Sequence, residues 1–359
     1  MGSIASIAAK ILKALVLSGA ITIGTTAGAW LNGTDPHQAL LGLPGTSDWR
    51  AAVAAVAPGV PAPDPQSSSP DQVRRFFSRL SETQRQALTR RDPGVVGNLD
   101  GTPEALRYEA NAAAHLHTPG RILAYDPRGL GRLIEVFGDL DTADHVAVMV
   151  PGVGWNLKKV LYNNRPGKAN PVLGAEALNA EMQRLQPGSR TAVVMWLGYD
   201  APEGIDREAM RSERAIDGAP DLAQFLRVLP GSSRITLVGH SYGTVVCGRA
   251  IRLAHGSRVG DLVSLASPGM DADTSADLGD SARVWAARSS NDPIELTPHV
   301  RLGGFGHGAD PVDPAFGAKV FRTGTAQGHG DYYLPGTESL TNVARITLGL
   351  THSVTLASQ

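Results

Sequence analysis

One cysteine, Cys247, serves 359 residues. With no second thiol the chain closes no internal disulfide, so cysteine usage does not reveal its redox compartment. Cys247 itself reads as a small buried residue and not as a reactive one. No Cys/His cluster has metal-ligand spacing, and no metal is expected. There is no G-x-x-x-x-G-K-[ST] to cradle a nucleotide phosphate, and no cofactor is expected. Neither sign of charge dominates. Lys and Arg number 33 against 34 Asp and Glu, a formal net charge of −1, which argues against nucleic acid as the main partner. Internal repeats are also lacking.

What is present is an apolar content of 42%, enough for a full α/β core and one small appendage. Glycine (41) and proline (24) suit a loop-rich enzyme. Residues 1–31 form a hydrophobic N-terminal segment. Lys10 and Lys13 precede the uncharged run from Ala14 to Leu31, and Ala27-Gly28-Ala29 gives a cleavage site after Ala29. That is the outline of a signal peptide, and it favours an exported or membrane-associated protein. The alternative is a soluble, cytoplasmic chain whose first helix aligns Ile4, Ile7, Ile11 and Leu15 on one face. Residues 32–70, rich in Pro and Ser, read as a linker unable to fold alone.

Residues 71–118 read as a helical extension. Pro70 opens a first helix with Val73, Phe76, Phe77 and Leu80 at helical spacing. Ser81 and Gln84 form a capping box for a second, running through Leu88. Thr102-Pro103-Glu104 opens a third, to about His117. From residue 119 to 359 strands alternate with helices. Arg121–Tyr125 and Arg132–Phe137 form a hairpin pair. His145–Val150, Thr191–Leu197, Ile235–Val238, Asp261–Ala266, Ala282–Ala287 and Ala318–Thr323 are strands. Helices are expected at Glu176–Leu185, Leu222–Val228 and Ser339–Leu350. The pattern predicts the α/β class: a mostly parallel sheet of about eight strands, flanked by helices on both faces.

The chain is organised around Ile235–Val246, ITLVGHSYGTVV. An apolar strand runs into Gly239-His240-Ser241-Tyr242-Gly243 and then into a helix of small residues. This is G-x-S-x-G in the context it requires, a serine on a sharp strand-to-helix turn. The two glycines make room for close backbone approach, and the helix start favours developing negative charge. A serine hydroxyl needs a base, and the base needs an acid to hold its tautomer. Folds of this kind present them in the order Ser, Asp or Glu, His, at strand ends. Asp292, after the second strand beyond the elbow, is the preferred acid, with Asp271 and Asp273 as rivals. His329, after the last strand, is the preferred base, with His307 as runner-up and a possible lining residue of the substrate site. For the oxyanion hole the donors are the amide of Tyr242 and one from Pro151-Gly152-Val153-Gly154, either Val153 or Gly154, with Val153 chosen. Gly154, Trp155 and His307 are assigned to substrate binding. Trp155, Tyr199, Tyr242 and Tyr332 are the aromatic candidates for an apolar acyl site.

Several further stretches resemble one family. Asp139–Val148 followed by Pro151-Gly152-Val153-Gly154, Gly239–Thr244, Ser264–Gly269, Gly306–Pro311 and Gly328–Tyr332 are together similar to an actinobacterial α/β-hydrolase family of uncharacterised function. Val95–Gly101 is similar to its helical lead-in. The resemblance covers residues 71–350. It implies the α/β-hydrolase fold and a Ser-Asp-His triad on Ser241, Asp292 and His329. Gly330 departs from the family's usual residue after the histidine. No substrate follows from the resemblance.

These readings predict a serine hydrolase acting through an acyl-enzyme, with a carboxylic ester as the default small-molecule substrate and a short or medium acyl group in an open cleft. Thioesterase, amidase or peptidase chemistry uses the same machinery. A non-catalytic cell-envelope binding protein is the alternative of a different class. Leu302–Pro314 and Tyr199–Pro220 are the expected pocket walls. The short Met270–Ser281 leaves no room for a large cap.

Overall fold

The computed structural model describes residues 42–114, 116–162, 170–229, 233–279, 281–302 and 304–358. The hydrophobic segment 1–31 and the start of the Pro/Ser-rich stretch lie outside the described residues. Five helices come first: α1 (Trp49–Val56), α2 (Pro70–Arg79), α3 (Glu82–Arg91), α4 (Pro93–Val96) and α5 (Glu104–Ala112). Both α2 and α3 begin with a complete capping box, Ser69/Gln72 and Ser81/Gln84. Helix α1 corrects the linker reading of residues 32–70. Trp49 is fully buried, meets Phe76 edge-on at 5.9 Å, and donates its indole N–H to the Pro63 carbonyl at 2.7 Å. This stretch folds because it has a partner. Trp49, Ala52 and Val53 complete a small core with Phe76, Phe77, Leu88 and Leu106.

The remainder alternates: β1 (Arg121–Asp126), β2 (Arg132–Gly138), β3 (His145–Val150), α6 (Leu157–Tyr162), α7 (Pro171–Leu185), β4 (Thr191–Leu197), α8 (Glu213–Val228), β5 (Arg234–His240), α9 (Gly243–Leu253), β6 (Val259–Leu265), β7 (Gly269–Ala272), β8 (Arg283–Ala287), β9 (His307–Gly308), β10 (Lys319–Val320) and α10 (Glu338–Thr347). Eight strands form one sheet in the order β1-β2-β4-β3-β5-β6-β8-β10, antiparallel at the β1–β2 and β2–β4 junctions and parallel from β4 onward. β7 and β9 pair separately. All seven residues of β4 and five of the six in β3 are buried, as expected of strands covered on both faces. Helices α8 and α9 cover one face and α7 and α10 the other.

Both sheet edges are closed. The lead-in before β1 supplies side chains where a further strand would supply backbone. Asn98 accepts from the Tyr125 amide at 2.8 Å and donates to the Tyr125 carbonyl at 2.9 Å. Arg107 and Asn111 take the carbonyls of Leu123 and Ile122. At the far edge, the C-terminal strand segment bonds β10 through Arg322 to Thr355 and Ala357 to Val320. The N-terminal ends of β5, β6 and β8 are pinned by the buried Asp261 carboxylate, which accepts from Arg234, Arg283 and the Trp285 indole. The opposite, C-terminal end carries the site.

Candidate functional site

β5 lies between β3 and β6 at the centre of the sheet and ends on His240. Ser241 follows with a φ of 55°, a left-handed conformation that costs a non-glycine residue roughly 1–2 kcal/mol. The turn is held on both sides: the Ser241 amide donates to Leu265 O at 2.9 Å and the Thr244 amide to Ser241 O at 3.0 Å. The flanking glycines are obligatory. A Cβ on Gly239 would stand 2.7 Å from Thr244 Cα, and one on Gly243 would stand 2.2 Å from Val150 O.

The loop after β3 lies against the elbow. A Cβ on Gly152 would sit 2.6 Å from Ser241 Cβ and 3.0 Å from the Tyr242 nitrogen. Tyr199 anchors this loop by donating its hydroxyl to Pro151 O at 2.7 Å. The Gly154 amide donates to Pro202 O at 2.7 Å, tying the loop to the segment after β4. Of the two amides weighed, that of Gly154 is spent on this bond. Trp155 is half-buried against the core on the α7 and α10 face.

On the other side of the elbow, His329 Nδ1 lies 2.9 Å from Asp292 Oδ1. Asp292 is buried and its other oxygen accepts from the Tyr332 hydroxyl at 2.6 Å, while Oδ1 also accepts from the Ile294 amide at 2.9 Å. Burial pushes this carboxyl up, but the His329 ring and these hydrogen bonds outweigh it and hold Asp292 below the usual carboxylate range. The Tyr332 hydroxyl, which also accepts from the Ser289 amide, is pushed well up by burial and then by Asp292. His240 joins the two halves: its Nε2 donates to the His329 carbonyl at 2.9 Å, and the two rings are 5.0 Å apart. Burial, then the neighbouring His329, lowers His240 to about 3, so the ring is neutral. Among the described residues no hydrogen bond joins Ser241 Oγ to His329. Such contacts are often long before substrate arrives and tighten on binding.

Three sequence expectations need correction. His307 does not line the cleft: it is buried, its Nε2 donates to Ala209 O at 2.9 Å, and Ser212 Oγ lies 3.2 Å from its Nδ1. A ring with both nitrogens occupied by protein has no hydrogen bond left for a substrate. Its rival role as base fails for the same reason. Asp271 is bound to Arg249 and accepts from Ser212, and Asp273 pairs with Arg301 at 2.8 Å; neither meets His329. Tyr332 and Tyr242 are not acyl-site walls. Tyr332 serves Asp292, and the Tyr242 hydroxyl is buried against the Arg211 carbonyl and the Ala215 amide. The positioning roles of Tyr332 and His240 were missed by sequence reasoning. The signal for Tyr332 was its place three residues after His329.

Among the described residues no group of three His, Cys, Asp or Glu could hold a metal ion, and no helix is long and apolar enough to cross a membrane.

A serine elbow at the centre of a mostly parallel sheet, with an Asp–His pair joined to it through His240 at the strands' C-terminal ends, defines the α/β-hydrolase class. The family model described as alpha/beta hydrolase matches residues 126–302. An uncharacterised protein of Mycobacterium bovis is 30% identical over 228 residues, covering 60% of this chain and 82% of the relative. An uncharacterised protein of Mycobacterium tuberculosis is 28% identical over 388 residues, covering 82% of this chain. This chain spans only 58% of that longer relative's length. Among solved structures, an esterase of Pyrobaculum calidifontis matches at 14% identity with a TM-score of 0.39, covering 76% of this chain and 99% of its own. The chain belongs to the alpha/beta hydrolase family.

Proposed function

We propose that this hydrolase cleaves carboxylic esters by a two-step acyl transfer at Ser241. The observation that carries the reading is the Asp292–His329 hydrogen bond, 2.9 Å, held beside the serine elbow by His240, whose Nε2 donates to the His329 carbonyl at 2.9 Å. Asp292 fixes His329 with its Nδ1 proton inward, which leaves Nε2 to accept the Ser241 proton. The Ser241 oxygen attacks the carbonyl carbon, and the tetrahedral oxyanion is held by the amides of Tyr242 and Val153. His329 then gives its proton to the leaving alcohol. A water molecule, deprotonated by His329, releases the acid from the acyl-enzyme and restores Ser241. Each oxyanion donor contributes on the order of 3 kcal/mol to transition-state stabilisation. The substrate is a small molecule, and no nucleic acid takes part. Export or envelope association, suggested by the hydrophobic segment 1–31, belongs to the same proposal.

The test is hydrolysis of 4-nitrophenyl esters from acetate to palmitate, alongside labelling by a fluorophosphonate probe. Wild type turns over the esters and is labelled. Ser241→Ala loses at least about 1,000-fold in kcat and is not labelled. Wild type that neither hydrolyses esters nor takes the probe overturns the reading.

A further inference from the structure

The run Gly306-His307-Gly308 has no part in the reaction written for Ser241. Its glycines bring the histidine in close: a Cβ on Gly306 would stand 1.9 Å from Val300 O, and one on Gly308 would stand 2.2 Å from Ala272 O. The buried His307 ring meets the Tyr242 ring edge-on, with centroids 5.4 Å apart. Tyr242 follows Ser241 directly, and in the proposed reaction its amide is an oxyanion donor. The far end of its side chain is fixed as well: the hydroxyl donates to Arg211 O at 2.7 Å and accepts from the Ala215 amide at 3.2 Å. Between those two residues lies Ser212, whose Oγ is 2.8 Å from Asp271 Oδ1 and 3.2 Å from His307 Nδ1. The contacts therefore close a circle, from Tyr242 to residues 211–215, from Ser212 to Asp271 and His307, and from His307 back to Tyr242. Asp271 joins it with a φ of 52°, in the left-handed region that a non-glycine residue seldom adopts.

These contacts need one proton more than a neutral imidazole supplies. The Ala209 carbonyl can only accept, so His307 Nε2, 2.9 Å away, carries a hydrogen. An ionised Asp271 also only accepts. Burial pushes this carboxyl up, but hydrogen bonds from His307 and Ser212 and the charge of Arg249 outweigh burial and lower it to about 2. Ser212 has a single hydroxyl proton, and donation to Asp271 uses it. The Nδ1–Oγ contact is then a hydrogen bond only if Nδ1 brings the proton. That makes His307 an imidazolium, with Asp271 Oδ1 at 3.7 Å as its counter-ion. Of the other charges facing the group, Arg249 shares the Asp271 carboxylate, and Arg252 and Arg301 donate to the Asp271 carbonyl. Glu208, Glu213 and Asp310 are paired with Arg214, Arg211 and Arg288. His299, lowered chiefly by burial, is lowered further by His307. We propose that His307 is a positioning residue: as an imidazolium tied to Ser212 and Asp271 it seats Tyr242, and so sets the oxyanion amide beside Ser241. The effect on rate rests on the ester-hydrolase reading; the protonation of the ring does not.

The test follows the His307 ring and the Tyr242 amide by heteronuclear NMR of the full wild-type chain. At pH 7.5, where an ordinary imidazole is mostly neutral, both ring nitrogens of His307 are expected to carry protons. As pH rises further and Nδ1 gives its proton up, the Tyr242 amide signal is expected to move over the same range. A neutral ring at pH 7.5, or a Tyr242 amide that ignores the titration of the ring, overturns the proposal. The second arm is kinetic. Ser212→Ala removes the oxygen shared by Asp271 and His307 and leaves Ser241, Asp292 and His329 in place. With 4-nitrophenyl butyrate, kcat is expected to fall about tenfold while KM stays within about twofold, because an oxyanion donor serves the transition state more than the bound ester. Ser212→Thr, which keeps the hydroxyl, restores most of the rate. An unchanged kcat in Ser212→Ala, with or without a rise in KM, overturns the positioning role. Were wild type to hydrolyse no ester, the serine mechanism would fall while the NMR arm still decided whether an imidazolium at His307 seats Tyr242.

Discussion

Tyr332 holds the one oxygen of Asp292 that His329 does not touch. Its hydroxyl stabilises the carboxylate and fixes its plane, so its removal acts on His329 through Asp292. In Tyr332→Phe the carboxylate loses one of the donors that hold Asp292 below the usual carboxylate range, so Asp292 takes up its proton at higher pH than in wild type. The acid limb of the kcat/KM profile is therefore expected to move to higher pH, with kcat down about tenfold. A pH–rate profile of ester hydrolysis checks this. A uniform fall in rate with an unmoved limb means that Tyr332 merely packs. This residue shows where reading stops. Strand order and motif singled out Ser241, Asp292 and His329 one by one. A third partner three residues from the histidine could be found only once the Asp331–Tyr333 turn aimed the hydroxyl inward. His307 shows the converse, since a glycine-flanked histidine looks like a site residue until both its nitrogens are found bound by Ala209 and Ser212.

Among the elements, strands were legible because burial on both faces leaves unbroken apolar runs: His145–Val150 and Thr191–Leu197 were bounded as observed. Helix α8 was expected only over Leu222–Val228, yet it begins at Glu213 and carries Pro220 inside it. Pro220 offers no N–H to the Ile216 carbonyl one turn back, and Ile216 lies at the surface, 48% exposed, where water can take that bond. Helix α1 was invisible because its apolar stripe has meaning only against Phe76 and Phe77, residues beyond a proline-rich stretch. The lead-in before β1 carries its own prediction. Asn98→Ala removes both side-chain bonds to Tyr125 and leaves an edge amide and carbonyl poorly satisfied, which should cost about 2–3 kcal/mol. Urea denaturation measures it, and a loss below about 0.5 kcal/mol would mean that water replaces Asn98 freely.

For the molecule as a whole, the elbow's own histidine contributes to acid sensitivity. His240 titrates near 3 in the fold against an ordinary value of 6.5. Below 6.5 the unfolded chain takes up a proton that the folded chain refuses. Stability attributable to this group is thus complete above that pH and declines as pH falls toward 3, by up to about 1.4 kcal/mol per pH unit. Half-buried His145 and His299 are lowered in the same direction, chiefly by desolvation, and add to the slope. Comparing wild type with His240→Gln by urea denaturation at pH 7.5, 5.5 and 4.5 isolates the share of His240: the wild-type curve should fall more steeply. Parallel curves would assign the acid sensitivity elsewhere.

The closure of the β1 edge also bears on how the chain is made. Asn98, Arg107 and Asn111 precede Arg121–Asp126 in the chain. During synthesis, which runs from the N-terminus at roughly 5–20 residues per second, the guard therefore leaves the ribosome seconds before the strand it covers. The hairpin β1–β2 emerges to find its outer rim already claimed, while its inner rim must wait for β4 about sixty residues later. A nascent sheet with one side spoken for can recruit its remaining strands in one direction only, and neighbouring chains on a polysome find no matching rim there to seize.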